Sequence, residues 1–367
     1  MSTSSNAFSY DGVSAVAVVD IGSGRIRGGW AGEDAPRCEL PNVWHAKPRE
    51  NLNGAYSAEG LEPKAVYPVE RGQVQDWDGL EALLQDVLDR VSQPQSPQPY
   101  PLLLSRPMFS ARSEDLGFAQ LVLEKFDAPS LCLARQPILA LHGISQSSGV
   151  VLDCGEGLTQ IVPIFEGFVI EHAVRRMHLA GQDVTLELQR ALSMRQPNPV
   201  YVSIETAREI KEKYCFVDQR STPKPDDSMS RSHTTSSGDV ITVGAERWKC
   251  PEILFQPSLG GLEGGGLAQQ LNTAIASCAV DVRGQLCDKI FMAGGTTLTP
   301  GICQRLVKEL SALVPHKQVK VVASPGRHLC SWRGGSVLGS LSTFPNLCIT
   351  KQEFQEEGER IFQKKFQ

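Results

Sequence analysis

Two short stretches hold the residues best suited to chemistry. In VAVVDIGSGRIRGGWAG, residues 16–32, a β-branched run ends in Asp20, and Gly22, Ser23 and Gly24 follow. In GVVLDCGEGLTQIVPIFEG, residues 149–167, the same order returns as Asp153, Gly155, Glu156 and Gly157. Glycines in a tight hairpin allow positive φ and let backbone N–H groups point into one concavity, where they can hold phosphate oxygens. An aspartate beside such a nest repels phosphate unless a cation lies between them. Magnesium, held largely through water by one or two carboxylates plus the phosphates, meets that need.

Neither stretch fits the two commonest phosphate loops. A dinucleotide fingerprint runs G-x-G-x-x-G straight into a helix, whereas RIRGGW after Gly24 is strand-like, and no G-x-x-x-x-G-K-[ST] string occurs. An ordinary glycine hairpin explains either stretch alone. Two copies, each at a strand end, favour a pair of phosphate hairpins. A third stretch, IFMAGGTTLTPG at residues 290–301, ends a strand in Gly294 and Gly295, against which a flat ring can lie, with Thr296 offering a polar contact. By itself it is equally a threonine-capped helix start followed by proline.

These motifs need elements to carry them. Residues 15–20 and 26–31 read as a hairpin, and an irregular Pro-, Asn- and Gly-rich excursion extends to about Pro63. In DWDGLEALLQDVLDRV the apolar positions Leu80, Leu83, Leu84, Val87, Leu88 and Val91 have the period of an amphipathic helix. The strand LLLS, a helix over 114–126, the strand in SLCLA and a short helix over 138–144 lead to the second hairpin. Residues 218–238, poor in apolar side chains, read as a surface loop. DVITVG, a helix over about 265–279, the strand KIFMA, a helix from Ile302, the strand VKVVAS and a helix over about 335–343 complete the chain, and KQEFQEEGERIFQKKF reads as a solvated amphipathic end. Strands and helices alternate throughout, so the class is α/β.

At 367 residues the chain suits two lobes, and 41% apolar residues supply a core. A net charge of -5 gives no general attraction to nucleic acid or acidic membranes. The ten cysteines are scattered without a C-x-x-C pair, which favours a reducing compartment. The polar start lacks the order of a signal peptide, and no apolar run approaches the roughly 20 residues of a membrane helix. A soluble, intracellular protein is expected. Trp248 and Trp332 are expected in the core, and His142 and His172 are not expected to bind metal.

Taken together the motifs resemble the actin family, within the wider group of sugar kinases, Hsp70 chaperones and actins. VVDIGSGRIRGGWAGEDAPR and GVVLDCGEGLTQIVPIFEGF resemble its two phosphate hairpins, REIKEKYCFV its nucleotide-facing helix, and CPEILFQPSLGG, AGGTTLTPGICQRL and SWRGGSVLGSLSTF later signatures in the same order. The resemblance implies an α/β, two-lobed actin-like fold with duplicated phosphate hairpins around a nucleotide cleft. The first-lobe base would comprise 1–41, 68–143 and 330–367, with a shortened subdomain at 42–67 whose neighbour-inserting loop is reduced. The second-lobe base would comprise 144–179 and 263–329, with a fourth subdomain at 180–262.

It further implies ATP or ADP with Mg2+ as cofactors. Gly22, Ser23, Gly24, Gly155, Glu156 and Gly157 would clamp phosphates, with Arg27 as the cation beside them. Asp20 and Asp153 would hold magnesium through water, and Gln136 would align an attacking water. Lys211, Glu212, Gly294, Gly295, Thr296 and His328 would line the adenosine pocket. Conventional actins carry asparagine at Ile21, lysine at Arg27, aspartate at Glu156, histidine at Gln160, lysine at His328 and tyrosine at Leu329. Gln160 cannot shuttle a proton as imidazole does, so slow or absent hydrolysis is expected. Ser258 to Leu267, where actin carries an apolar plug, is mostly glycine. The expectation is a structural subunit, at most a weak ATPase, partnered by other actin-like protomers or subunits of a multiprotein cytoskeletal complex, in the cytoplasm or possibly the nucleus, without direct contact to nucleic acid or membrane. A sugar kinase of the same superfold and a nuclear chromatin-remodelling subunit are the alternatives.

Overall fold

A computed structural model describes residues 15–45, 65–92, 99–219 and 230–365. The chain divides into two units, Met1–Ile144 with Ser331–Gln367, and Ser145–Cys330.

The first unit is built on a six-stranded sheet in the order Ile349–Thr350, Ser130–Arg135, Leu102–Arg106, Ala17–Ile21, Arg25–Trp30, Cys38–Pro41. Ala17–Ile21 runs parallel to Leu102–Arg106 and antiparallel to Arg25–Trp30. All five residues of Ala17–Ile21 and of Leu102–Arg106 are buried, the mark of strands covered on both faces. The helix Trp77–Val91 starts where the Asp76 carboxylate accepts from the Asp78 N–H (3.1 Å), and it buries Leu80, Leu83, Leu84, Val87, Leu88 and Val91. The glycine pair in RIRGGW does not interrupt its strand. A Cβ on Gly28 would stand 2.4 Å from Val87, and one on Gly29 2.6 Å from Trp332. Glycine there makes room for a helix and an indole.

Three expectations change in this unit. Part of the irregular excursion is ordered: Cys38–Pro41 pairs with Arg25–Trp30, and Trp44–His45 pairs with Ala65–Val66. Residues 46–64, which carry most of the shortened subdomain, lie outside the described residues. The late helix runs Cys330–Gly339, earlier than 335–343, because it presses on the Gln136–His142 helix, and a Cβ on Gly334 would lie 1.8 Å from the Leu139 carbonyl oxygen. Those glycines are close-approach positions inside a helix. The C-terminal stretch keeps an exposed charged face but also packs: Lys351–Glu357 and Arg360–Lys365 bury Phe354, Ile361 and Phe362 in the core that holds Leu80 and Leu84. Trp332 is fully buried, its indole N–H donating to the Val18 carbonyl at 3.1 Å.

The second unit repeats the plan. Gly149–Cys154 is antiparallel to Thr159–Phe165 and parallel to Ile290–Ala293, which continues to Val321–Val322. Arg175–Met177 pairs with the other edge of Thr159–Phe165. Helices Gly181–Ser193, Ile204–Tyr214, Leu267–Ser277, Val280–Cys287 and Ile302–Leu313 contribute to this unit, and Leu188, Ile210, Leu271, Leu286 and Leu306 meet in one core. Trp248 is buried. The expected loop over 218–238 is in part a hairpin, Arg231–Thr234 with Val240–Val243. Alternation there puts only His233, Ile241 and Val243 inward, too few apolar residues to register against a polar background. Residues 220–229 lie outside the described residues.

Candidate functional site

The first hairpin closes through Gly22 N–H donating to Arg25 O at 3.1 Å. A Cβ on Gly22 would sit 2.9 Å from that oxygen, so glycine is required by closeness. None of Gly22, Gly24, Gly155 and Gly157 takes positive φ, so the turns do not use the conformational freedom that glycine allows. The turn is pinned from outside. The Asn42 amide donates to Ser23 O (2.8 Å) and Val69 O (2.6 Å) and accepts from Val69 N–H (3.2 Å). Asn42 N–H reaches Gly24 O at 3.0 Å, and the Ser23 hydroxyl accepts from Gly72 N–H at 2.9 Å.

Asp20 lies directly opposite Arg27 on the paired strands and is buried. Its carboxylate accepts from the Ser105 hydroxyl (2.5 Å) and the Gln136 amide (3.1 Å), with an Arg27 guanidinium nitrogen at 3.4 Å. Ser105 Oγ accepts in turn from Ile21 N–H at 3.0 Å, and Gln136 Nε2 also reaches Ile21 O at 3.0 Å. The second arm of Arg27 meets Glu39 at 3.3 Å. Arg27 therefore balances two carboxylates through a fork, which one ammonium cannot do in the same geometry.

In the second hairpin Asp153 stands opposite Gln160, and Gln160 opposite Arg176 on the next strand, so the three side chains share one face of the sheet. The turn closes through Gly155 N–H to Leu158 O at 3.0 Å. Its carbonyls then serve the helix Gly181–Ser193: Gly155 O accepts from Gly181 N–H (3.1 Å) and Glu156 O from Gln182 N–H (2.7 Å). These are first-turn amides, which lack partners within their own helix. Glu156 is held by Arg208 Nε (3.1 Å) and Lys211 Nζ (2.9 Å), and Lys211 also donates to Gly181 O at 2.9 Å. Thr296 Oγ donates to Gly155 O at 2.7 Å.

Gly294 is a glycine of necessity. Its φ is +85°, and a Cβ would lie 2.3 Å from Cys154 O and 2.7 Å from Asp153 Oδ1. Beyond it the Cβ position of the exposed Gly295 is open, leaving a flat backbone face. Arg327 braces this turn by donating to Thr297 O at 2.7 Å. Cys154, beside Asp153, is a packing residue: burial pushes its thiol up to about 12, and it accepts a hydrogen bond from Thr159 at 3.0 Å.

The first unit thus assembles Asp20, Gly22, Ser23, Gly24, Arg27 and Gln136. The second assembles Asp153, Gly155, Glu156, Gly157, Gln160, Lys211, Gly294 and Thr296. Glu212 is exposed one residue beyond Lys211, and His328 is half-buried one residue beyond Arg327. Sequence reasoning passed over Asn42, Ser105, Gly181 and Arg208. Only Arg208 left a usable signal, since it lies three residues before Lys211 on one helix face.

The family model for actin matches residues 10–367. The chain belongs to the actin family. It is also 36% identical to Centractin of Schizosaccharomyces pombe over 368 residues, covering 95% of this chain and 97% of that protein. Arg27, Glu156 and Gln160, the positions expected from the resemblance to differ from conventional actins, fall on the two hairpins. Two of them are the register partners of the hairpin aspartates, Arg27 for Asp20 and Gln160 for Asp153. Among the described residues no helix is long and apolar enough to cross a membrane.

Proposed function

We propose that this actin-family chain is a structural subunit of a multiprotein cytoskeletal assembly containing other actin-like chains, and that it holds ATP or ADP with Mg2+ while hydrolysing ATP slowly or not at all. The observation that carries the nucleotide assignment is charge balance at the hairpins. Glu156, the acidic residue at a turn meant for phosphate, is taken up by Arg208 and Lys211, and Asp20 by Arg27, so neither carboxylate meets a phosphate uncompensated. Gly22 to Gly24 and Gly155 to Gly157 are the phosphate contacts, and Gly294, Gly295 and Thr296 with Lys211, Glu212 and His328 are the adenosine side.

The donor set fits magnesium in its outer shell. Asp20 is buried and already accepts from Ser105 and Gln136, which suits a carboxylate that holds a hydrated ion through water, and Asp153 takes the same place in the second hairpin. The ion's chemistry there is neutralisation of phosphate charge. Gln136 has its Nε2 turned to the first strand, so its carbonyl oxygen is the atom left to align a water as acceptor. Gln160 replaces a proton-shuttling imidazole with an amide, and slow hydrolysis follows.

Purification of the protein from its own cells, with associated chains and bound nucleotide identified together, tests the proposal. Actin-family partners and about one ATP or ADP per chain are expected. An empty protein sinks the nucleotide assignment, and a monomer that phosphorylates a sugar sinks the structural one. Gln160→His is expected to raise single-turnover ATP hydrolysis; an unchanged rate shows that the missing imidazole is not what limits it.

A further inference from the structure

In the first unit Ser130–Arg135 and Ile349–Thr350 run antiparallel, with Leu131 opposite Ile349 and Ser130 opposite Thr350. Continued by one residue, through the extended backbone of Cys348, this register would set Cys132 opposite Cys348. Residues facing each other across an antiparallel pair have Cα atoms about 4.5–5.5 Å apart, inside the roughly 4.4–6.8 Å that a disulfide spans. Both side chains are buried in the same small core with Val18, Leu139, Trp332 and Phe344, and the Cys348 thiol donates to the Phe344 carbonyl at 3.4 Å. Both are free.

We propose that Cys132 and Cys348 form a redox modification site, in which a peroxide oxidises Cys348 and Cys132 resolves it to a cross-strand disulfide. The Cys348 thiolate attacks one oxygen of hydrogen peroxide, the O–O bond breaks, and Cys348 becomes a sulfenic acid with release of hydroxide. The Cys132 sulfur then attacks the Cys348 sulfur, the S–O bond breaks, and the Cys132 proton leaves with the hydroxyl as water. In sum two thiols and one peroxide give one disulfide and two waters, the peroxide being reduced.

The environment assigns the two roles. The neighbouring Cys132 draws the Cys348 thiol below its ordinary range against the effect of burial, with Ser130 and Lys365 assisting. Cys348 beside it and burial hold Cys132 well above that range, as expected of the thiol that reacts second. The thiols of Cys154, Cys215 and Cys287 are instead pushed up by burial. Access comes through the edge. Ile349–Thr350 is a two-residue outermost strand, the kind of element that opens locally at less than the global unfolding cost. Once formed, the bond ties the C-terminal segment, with Phe354, Ile361 and Phe362, to the central sheet.

The test uses the folded full-length chain, independently of nucleotide. It is treated with hydrogen peroxide, alkylated, and mapped by mass spectrometry without reduction. A linked Cys132–Cys348 peptide is expected as the main disulfide, absent from Cys132→Ala and Cys348→Ala. With dimedone present, Cys132→Ala is expected to accumulate sulfenic acid at Cys348 several-fold above the unmodified chain, and Cys348→Ala to show none at Cys132. Recovery of both thiols free at peroxide levels that oxidise the more exposed Cys303 overturns the proposal, and equal sulfenic acid at Cys132 in Cys348→Ala overturns the assignment of roles. Should either variant fail to fold, the peptide map of the unmodified chain still decides.

Discussion

The two hairpins share a backbone plan and differ in what restrains them. Each places an aspartate near the end of a central strand that is antiparallel to the next strand and parallel to a later one. In the first unit the aspartate is restrained by side chains: Ser105, Gln136 and Arg27 converge on Asp20, and Asn42 fastens the turn. In the second unit backbone contacts add to the side chains of Thr296, Arg208 and Lys211 that hold the turn. Gly155 and Glu156 carbonyls cap a helix N-terminus, and Gly294 comes so close that no side chain fits. A duplicated plan therefore does not imply duplicated energetics, and substitutions at matching places should have different costs.

The comparison is tested most strongly at its glycines. Gly294→Ala combines a left-handed φ with a Cβ driven into Cys154 O, and a loss of about 3 kcal/mol is expected. Gly22→Ala adds a Cβ at 2.9 Å without a φ penalty, and about 1 kcal/mol is expected. Urea unfolding of both variants checks the contrast, and equal losses would break it. Ser105→Ala removes the acceptor of a buried Ile21 N–H and a donor to Asp20 together, at an expected cost of about 2 kcal/mol in the same assay. Arg27→Lys keeps the charge but can serve Asp20 or Glu39, not both in one geometry. About 1 kcal/mol is expected, and a silent substitution would mean that the fork contributes nothing.

The smallest effect is one of pH and belongs to the second unit. Burial raises the Cys154 and Cys215 thiols from 9.0 to about 12. Each keeps its proton in the folded chain to a higher pH than in the unfolded chain. Its contribution is therefore intact below pH 9.0 and is lost as pH rises towards about 12. Urea midpoints followed from neutral pH to above 9.0 are expected to fall, and Cys154→Ala to flatten that fall.

Much of this was open to sequence reasoning because it depends on local order. The strand-glycine-strand runs, the apolar period of Trp77–Val91 and the repeated Asp-x-Gly-x-Gly spacing are properties of neighbouring residues. The misplaced elements have separate physical causes. Gly334 stands inside the late helix, and Gly28 and Gly29 inside a strand, because a distant carbonyl or side chain occupies the Cβ position. Phe354, Ile361 and Phe362 looked solvated because charged neighbours surround them in sequence, though not in space.

The sequence by itself determined the α/β class, the two aspartate hairpins and their resemblance to actin, since spacing along the chain suffices for these. Only tertiary structure decided which groups answer each carboxylate. Ser105 reaches Asp20 from a neighbouring strand and Gln136 from the start of a helix, Arg208 and Lys211 reach Glu156 from another helix, and Cys132 and Cys348 share one buried core. Such pairings are made by strand order and register, which bring together residues that no local rule connects.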